Sequence, residues 1–170
     1  MTFATLLLSS FFSGPASAAA IPKADYALSL DEYDLQISDY NFPSGLRILF
    51  QEEHTQPVVA ITTVIDHGSD SDFPGMEGMA HVIEHLAFRA QHGDLPKNMD
   101  LIKQLGGNFN ASTADDWTNY MTVAPVDALV PLLRLEAQRL TNGVNNVTKE
   151  HLDLEREICR NELRMNYENA

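Results

Sequence analysis

"GMAHVIEHLAFRA", Gly78 to Ala90, sets His81, Glu84 and His85 into an otherwise apolar segment. Apolar residues fall on all sides of a helical projection, so the segment reads as a buried helix. On a helix, residues i, i+3 and i+4 share a face, so His81 and His85 point the same way and Glu84 lies beside them. Two imidazoles at this spacing can grip one metal ion. Burying three polar groups together is costly unless something binds them. The order H-x-x-E-H inverts the H-E-x-x-H zinc motif. In that chemistry two neutral imidazoles hold Zn²⁺, and a carboxylate that is not a ligand takes a proton from a bound water. A catalytic zinc also needs a third protein ligand and an open fourth position. The plainer alternative is a set of hydrogen-bonded core side chains.

The flanks supply the rest of the fold. Upstream, "PVVAITTVIDHGS" is rich in β-branched residues and predicts a central strand over about 58–66. "YNFPSGLRILFQEEH" predicts a turn and then a strand over 46–51, paired with the first through a turn at 53–56. Downstream, "MDLIKQLGG" predicts a short helix stopped at Gly106 and Gly107. "NFNAST" and "WTNYMTVAP" predict a hairpin, and "VDALVPLLRLEAQRL" a helix with Pro131 near its start. The segment from Thr148 to Ala170 predicts a long helix with Thr148 as its N-cap. Blocks of strands and helices in the order β-β-α-α-β-β-α-α imply an α+β fold of two layers, with helices on one face of a mixed or antiparallel sheet.

The last helix carries Glu155 and Glu162, seven residues apart and so on one stripe. One carboxylate can complete a zinc sphere while the other supports it from behind. A solvated acidic face is the competing reading. Cys159 lies on the same stripe and reads as a small buried residue.

Composition narrows the functions. The 170 residues include 24 acidic and 11 basic side chains, for a formal net charge of −13. With no Lys/Arg cluster, nucleic acid is excluded as an expected partner. A single cysteine rules out a disulfide framework within the chain and a Cys-rich zinc module, which leaves His and carboxylates as the ligands. The start, "MTFATLLLSSFFSGPASAAA", has an apolar run from Phe3 to Phe12, shorter than the roughly 20 residues a membrane span needs. Gly14, Pro15 and then "ASA" at Ala16 to Ala18 follow, as in a secretory signal peptide, although no Lys or Arg precedes Lys23. The expected organisation is a signal peptide at 1–18, an extended arm at 19–39, and the N-terminal part of a catalytic domain at 40–170, ending inside a helical pattern as a fragment would. The implied location is the periplasm or the medium. The sequons at Asn110 and Asn146 read as chance matches.

The H-x-x-E-H block, with Glu162 placed 77 positions after His85 and Glu155 seven before that, resembles the pitrilysin/insulinase family of zinc metallopeptidases, the inverzincins. A second block agrees. "NASTADDWTNY", Asn110 to Tyr120, matches every fixed position of the family's N-A-x-T-x-x-D-x-T-x-Y hairpin. "HGSDSDF" and "GMEGMAH" also resemble the family's approach to the helix, with the acid after Gly-Ser displaced to Asp70 or Asp72, and "AQ" where Gly-Thr is common.

The resemblance implies a metallopeptidase half-domain of pitrilysin type with Zn²⁺ as cofactor. His81, His85 and Glu162 would be the ligands, Glu84 the base that activates the zinc-bound water, and Glu155 a support behind the ligands. Asn110, Ala111, Ser112 and Thr113 would pair with the backbone of a bound peptide. The implied activity is endopeptidase action on peptides or unfolded segments. It also implies a second family half-domain, in the same longer chain or a separate subunit. The alternative is a non-catalytic partner or scaffold subunit of the same family.

Overall fold

The computed structural model describes residues 3–10, 26–30 and 35–168. Its strands are β1 (Phe3–Ser10), β2 (Tyr26–Leu30), β3 (Leu35–Asn41), β4 (Arg47–Glu53), β5 (Val58–Ile65), β6 (Asn108–Thr113) and β7 (Thr118–Pro125). Its helices are α1 (Met79–Arg89), α2 (Asn98–Gln104), α3 (Leu129–Asn142) and α4 (Lys149–Glu168). The strands form one sheet in the order β2-β3-β4-β1-β5-β7-β6. Among the described strands only β1 and β5 run parallel; every other pair is antiparallel. This is the α+β architecture with a mixed sheet that the sequence implies.

One expectation fails: β4 and β5 are not neighbours. β1 lies between them, with Thr5 opposite Gln51 of β4 and Ala60 of β5. The link at 54–57 steps across the intervening strand, a distance of roughly 10 Å that four residues span easily. A continuous apolar run suits a strand flanked on both edges, so the segment read as a leader has the composition of a central strand too. The described parts of 19–39 contribute the outer strands β2 and β3. The expected cleavage point at Ala18 lies outside the described residues.

Strand alternation sets which face carries the core. β5 buries Val59, Ile61 and Thr63, and β7 buries Thr118, Tyr120, Thr122 and Ala124. The register pairs Val59 with Ala124 and Ile61 with Thr122, so these side chains share one face. Ile102 of α2 and Leu132 and Leu135 of α3 close over it. A polar cluster is embedded in the same layer. Thr63 Oγ1 donates to Glu136 Oε2 at 2.7 Å, and Arg139 pairs with Glu136 at 3.1 Å. The Arg139 guanidinium lies 4.0 Å from the centre of the Tyr120 ring and 5.5 Å from that of Phe88 on α1. Ring faces and a carboxylate stand in for the water this cation has lost. Burial pushes the Tyr120 phenol up to about 12, so it stays neutral.

The turn between β6 and β7 is tied to the loop that leads into α1. Ser69 N–H donates to Ala114 O at 3.0 Å and Asp70 N–H to Asp115 O at 2.8 Å. Thr118 Oγ1 donates to His67 O at 2.9 Å. Gly68 permits this approach, since a Cβ there would sit 2.3 Å from Ala114 O. The clamp fixes the end of β6 against α1.

The N-terminus of α1 is held by Asp72, whose carboxylate accepts from Gly78 N–H at 2.7 Å and Ala80 N–H at 2.9 Å. Two otherwise orphaned donors are satisfied, and the negative charge suits the helix start. Gly78 itself takes a left-handed φ of 88°. The helix is not buried all round as its sequence predicts. Ala80, Glu84, Leu86 and Ala87 are buried, whereas Met79 and Ile83 are exposed. It lies over β6 and β7 at one end of the sheet and against α4, which leaves its remaining face to solvent. Thr148 caps α4 as expected, its Oγ1 accepting from His151 N–H at 3.2 Å. No described helix is long and apolar enough to cross a membrane.

Candidate metal centre

Helices α1 and α4 pack side by side, and the polar residues of both meet at that contact. The rings of His81 and His85 stand edge to face with centroids 4.8 Å apart. Glu162 Oε2 lies 3.4 Å from His81 Nε2 and 3.5 Å from His85 Nε2. Both separations exceed a normal N–H···O hydrogen bond. They match the edge of a tetrahedron: donors about 2.0–2.1 Å from a common zinc ion are about 3.3–3.4 Å apart. These three side chains therefore fit a zinc ion.

Behind them sits a buried support. Glu155 Oε2 is 2.9 Å from His85 Nδ1, and Arg89 Nε donates to Glu155 Oε1. A carboxylate against Nδ1 places the ring proton there, which leaves the Nε2 lone pair facing Glu162 and His81. The Arg89 cation offsets the charge of Glu155, which is only 4% exposed. Sequence reasoning missed Arg89; its signal is the i+4 spacing from His85 along α1.

Glu84 is buried and turns toward the sheet, where Thr113 Oγ1 donates to its Oε2 at 2.6 Å. β6 is one of the two edge strands of the described sheet. Its alternation sends Ala111 and Thr113 toward the helices, while the Asn110 and Ser112 side chains turn outward. Ser112 Oγ is engaged with Asn119 Oδ1 at 2.8 Å. The four expected peptide-contacting residues thus divide: all border the cleft, but only two aim side chains at it. The hydroxyl of Thr113 is committed to Glu84, a link that spacing does not reveal. The cleft itself, about 780 Å³, runs from β6 across His81, Glu84 and His85 to Glu155 and Glu162.

Cys159 is 7% exposed, as expected for a small buried residue. Burial, with the nearby carboxylates of Glu162, Glu155 and Glu84, pushes its thiol up to about 11.

Comparisons with known proteins point one way. Residues 47–170 match the family described as insulinase, peptidase family M16. The zinc protease PqqE of Helicobacter pylori is 29% identical over 119 residues, covering 69% of this chain and 26% of that protein. The β subunit of the mitochondrial-processing peptidase of Blastocladiella emersonii is 28% identical over 107 residues, covering 61% of this chain and 20% of that protein. A crystal structure of a protease from Helicobacter pylori superposes with a TM-score of 0.66 at 25% identity, over 80% of this chain and 32% of that one. Pitrilysin shares the fold, with a TM-score of 0.68 at 23% identity over 88% of this chain and 15% of that one. The chain spans about a quarter of the length of the first of these relatives and a fifth of the second.

Proposed function

The chain belongs to the insulinase family of peptidases, family M16, and from that premise we propose that it forms the zinc-binding part of an endopeptidase acting on peptides or unfolded segments. The observation that carries this reading is the position of Glu162 Oε2, 3.4 and 3.5 Å from the two imidazole nitrogens that face it. His81, His85 and Glu162 hold the ion. When bound, zinc lowers the pKa of a water molecule and polarises the peptide carbonyl. Glu84 would serve as the base that takes a proton from the attacking water and as the acid that returns it to the leaving amine. Thr113 keeps the Glu84 carboxylate aimed by occupying one of its oxygens. A peptide in extended form adds to the free edge of β6, which lays its scissile bond across the cleft.

The relatives named zinc proteases support the same ion and the same chemistry. The cleft lining includes Leu163 of α4, which is exposed. A second half-domain of the same family, in a longer chain or a separate subunit, closes over the cleft and excludes water.

The test measures zinc by elemental analysis and cleavage of an internally quenched peptide in the complete protein. The expected result is about one zinc ion per copy of this unit, the ratio a three-ligand site implies. Hydrolysis should stop with a chelator and return with added zinc. A pure, folded protein with no zinc uptake and no hydrolysis would defeat the reading.

Loss of the Glu155 carboxylate is expected to loosen the site without removing a ligand. Glu155→Ala should weaken zinc binding by about 10- to 100-fold, the usual cost of deleting a group that orients a ligating imidazole. Competition against a chelator of known affinity measures it. An unchanged affinity would show that His85 needs no such partner.

For location we propose export, on the apolar run and "ASA" of the N-terminus; cleavage there removes β1, whose place between β4 and β5 then belongs to the uncleaved chain alone. N-terminal sequencing of protein recovered from the periplasm or medium should find a start near Ala19. Met1 on the mature protein would refute it.

A further inference from the structure

The stripe of α4 that faces α1 carries three groups, Glu155, Cys159 and Glu162. The two carboxylates have roles above. Cys159 lies between them, and its sulfur and one donor nitrogen from each of His81 and His85 all lie within 4.8 Å of one another. In a tetrahedral zinc sphere a sulfur and a nitrogen donor are about 3.5 Å apart, from Zn–S near 2.3 Å and Zn–N near 2.0–2.1 Å. The sulfur is therefore at most roughly 1.3 Å beyond ligation distance from either ring, a gap that side-chain adjustments on two helices can close.

Resting on the zinc reading, we propose that Cys159 is an alternative fourth donor to the ion held by His81 and His85, and that its ligation closes the coordination position that catalysis needs open. Two observations stand behind it: the placement of the sulfur against both imidazoles, and the distances of Glu162 Oε2 from the same two rings. The two anionic donors differ in access. Glu162 has a side chain 45% exposed, whereas Cys159 is 7% exposed.

The exchange is a ligand substitution with no change of oxidation state. The S–H bond breaks, its proton leaves to solvent, and the sulfur lone pair binds the ion as a water molecule departs. Two imidazoles, one carboxylate and one thiolate leave the divalent ion with no net charge and no free position. A soft ion gains most from the sulfur, so cadmium should report this state more strongly than a harder ion.

The experiment loads the full chain with Co²⁺ or Cd²⁺ and records thiolate-to-metal charge-transfer absorption in the ultraviolet, at shorter wavelength for Cd²⁺ than for Co²⁺. The sequence contains one cysteine, so any such band belongs to Cys159. The expected result is a band that saturates as His81 and His85 fill. It should be absent from Cys159→Ala and Cys159→Val, which still bind the ion. Their affinity for Cd²⁺ should be lower by at least about 10-fold. Metal bound to the wild-type chain without a thiolate band overturns the role of Cys159 and leaves the zinc site standing. Failure to bind any metal overturns both readings. A band that survives in the two variants also overturns the assignment.

Discussion

Glu84→Gln is expected to keep its zinc and lose peptide hydrolysis by at least about 100-fold, the lower range for deleting a general base. The substitution is close to isosteric, and the amide oxygen can still accept from the Thr113 hydroxyl that Glu84 binds at 2.6 Å. Packing at this buried position therefore changes little. What disappears is the ability to take and return a proton. Since Glu84 points to β6 while both imidazoles face Glu162, the ligand set is untouched. Zinc content and cleavage of a quenched peptide, measured on the same preparation of the complete protein, check both halves. Equal rates in wild type and variant would remove Glu84 from the chemistry.

His85→Ala should do the reverse and empty the site. His85 has both ring nitrogens committed, with Nδ1 2.9 Å from Glu155 and Nε2 3.5 Å from Glu162. Its removal deletes one donor and leaves the buried Glu155 without one of its two partners. Arg89 still pairs with that carboxylate, so the α1–α4 contact should persist. Removing an orienting group costs about 10- to 100-fold in affinity, and removing a ligand should cost more than the upper end of that range. Dialysis followed by elemental analysis should find wild type loaded and the variant near background, with far-ultraviolet circular dichroism unchanged. Full zinc occupancy in His85→Ala would contradict the proposed ligand set.

Much of this site could be read from the chain because its parts are local. His81, Glu84 and His85 lie within five residues of one helix, and Glu155 and Glu162 share another, so helical periodicity alone sorts them onto faces. The strands over 47–53, 58–65, 108–113 and 118–125 and the Thr148 cap follow from alternation and capping chemistry in the same way. The residues that tie elements together were harder to see. The Asp72 carboxylate reaches a helix start six and eight residues away. Arg89 meets Glu155 across 66 positions, and Thr113 meets Glu84 across 29. The Glu136–Arg139 pair under Phe88 and Tyr120 looks in sequence like an ordinary solvent-facing i,i+3 pair.

Local spacing thus carried the element types and the metal-binding residue types, since each depends on a few bonds of backbone geometry; the likeness to a peptidase family came from matched motifs. Tertiary structure alone put β1 between β4 and β5, left one face of α1 in solvent, and brought α1 to α4 so that Glu162 meets two imidazoles. Strand order and helix docking depend on which apolar faces bury each other most completely. That is a property of the whole chain's packing, and no window of neighbouring residues contains it.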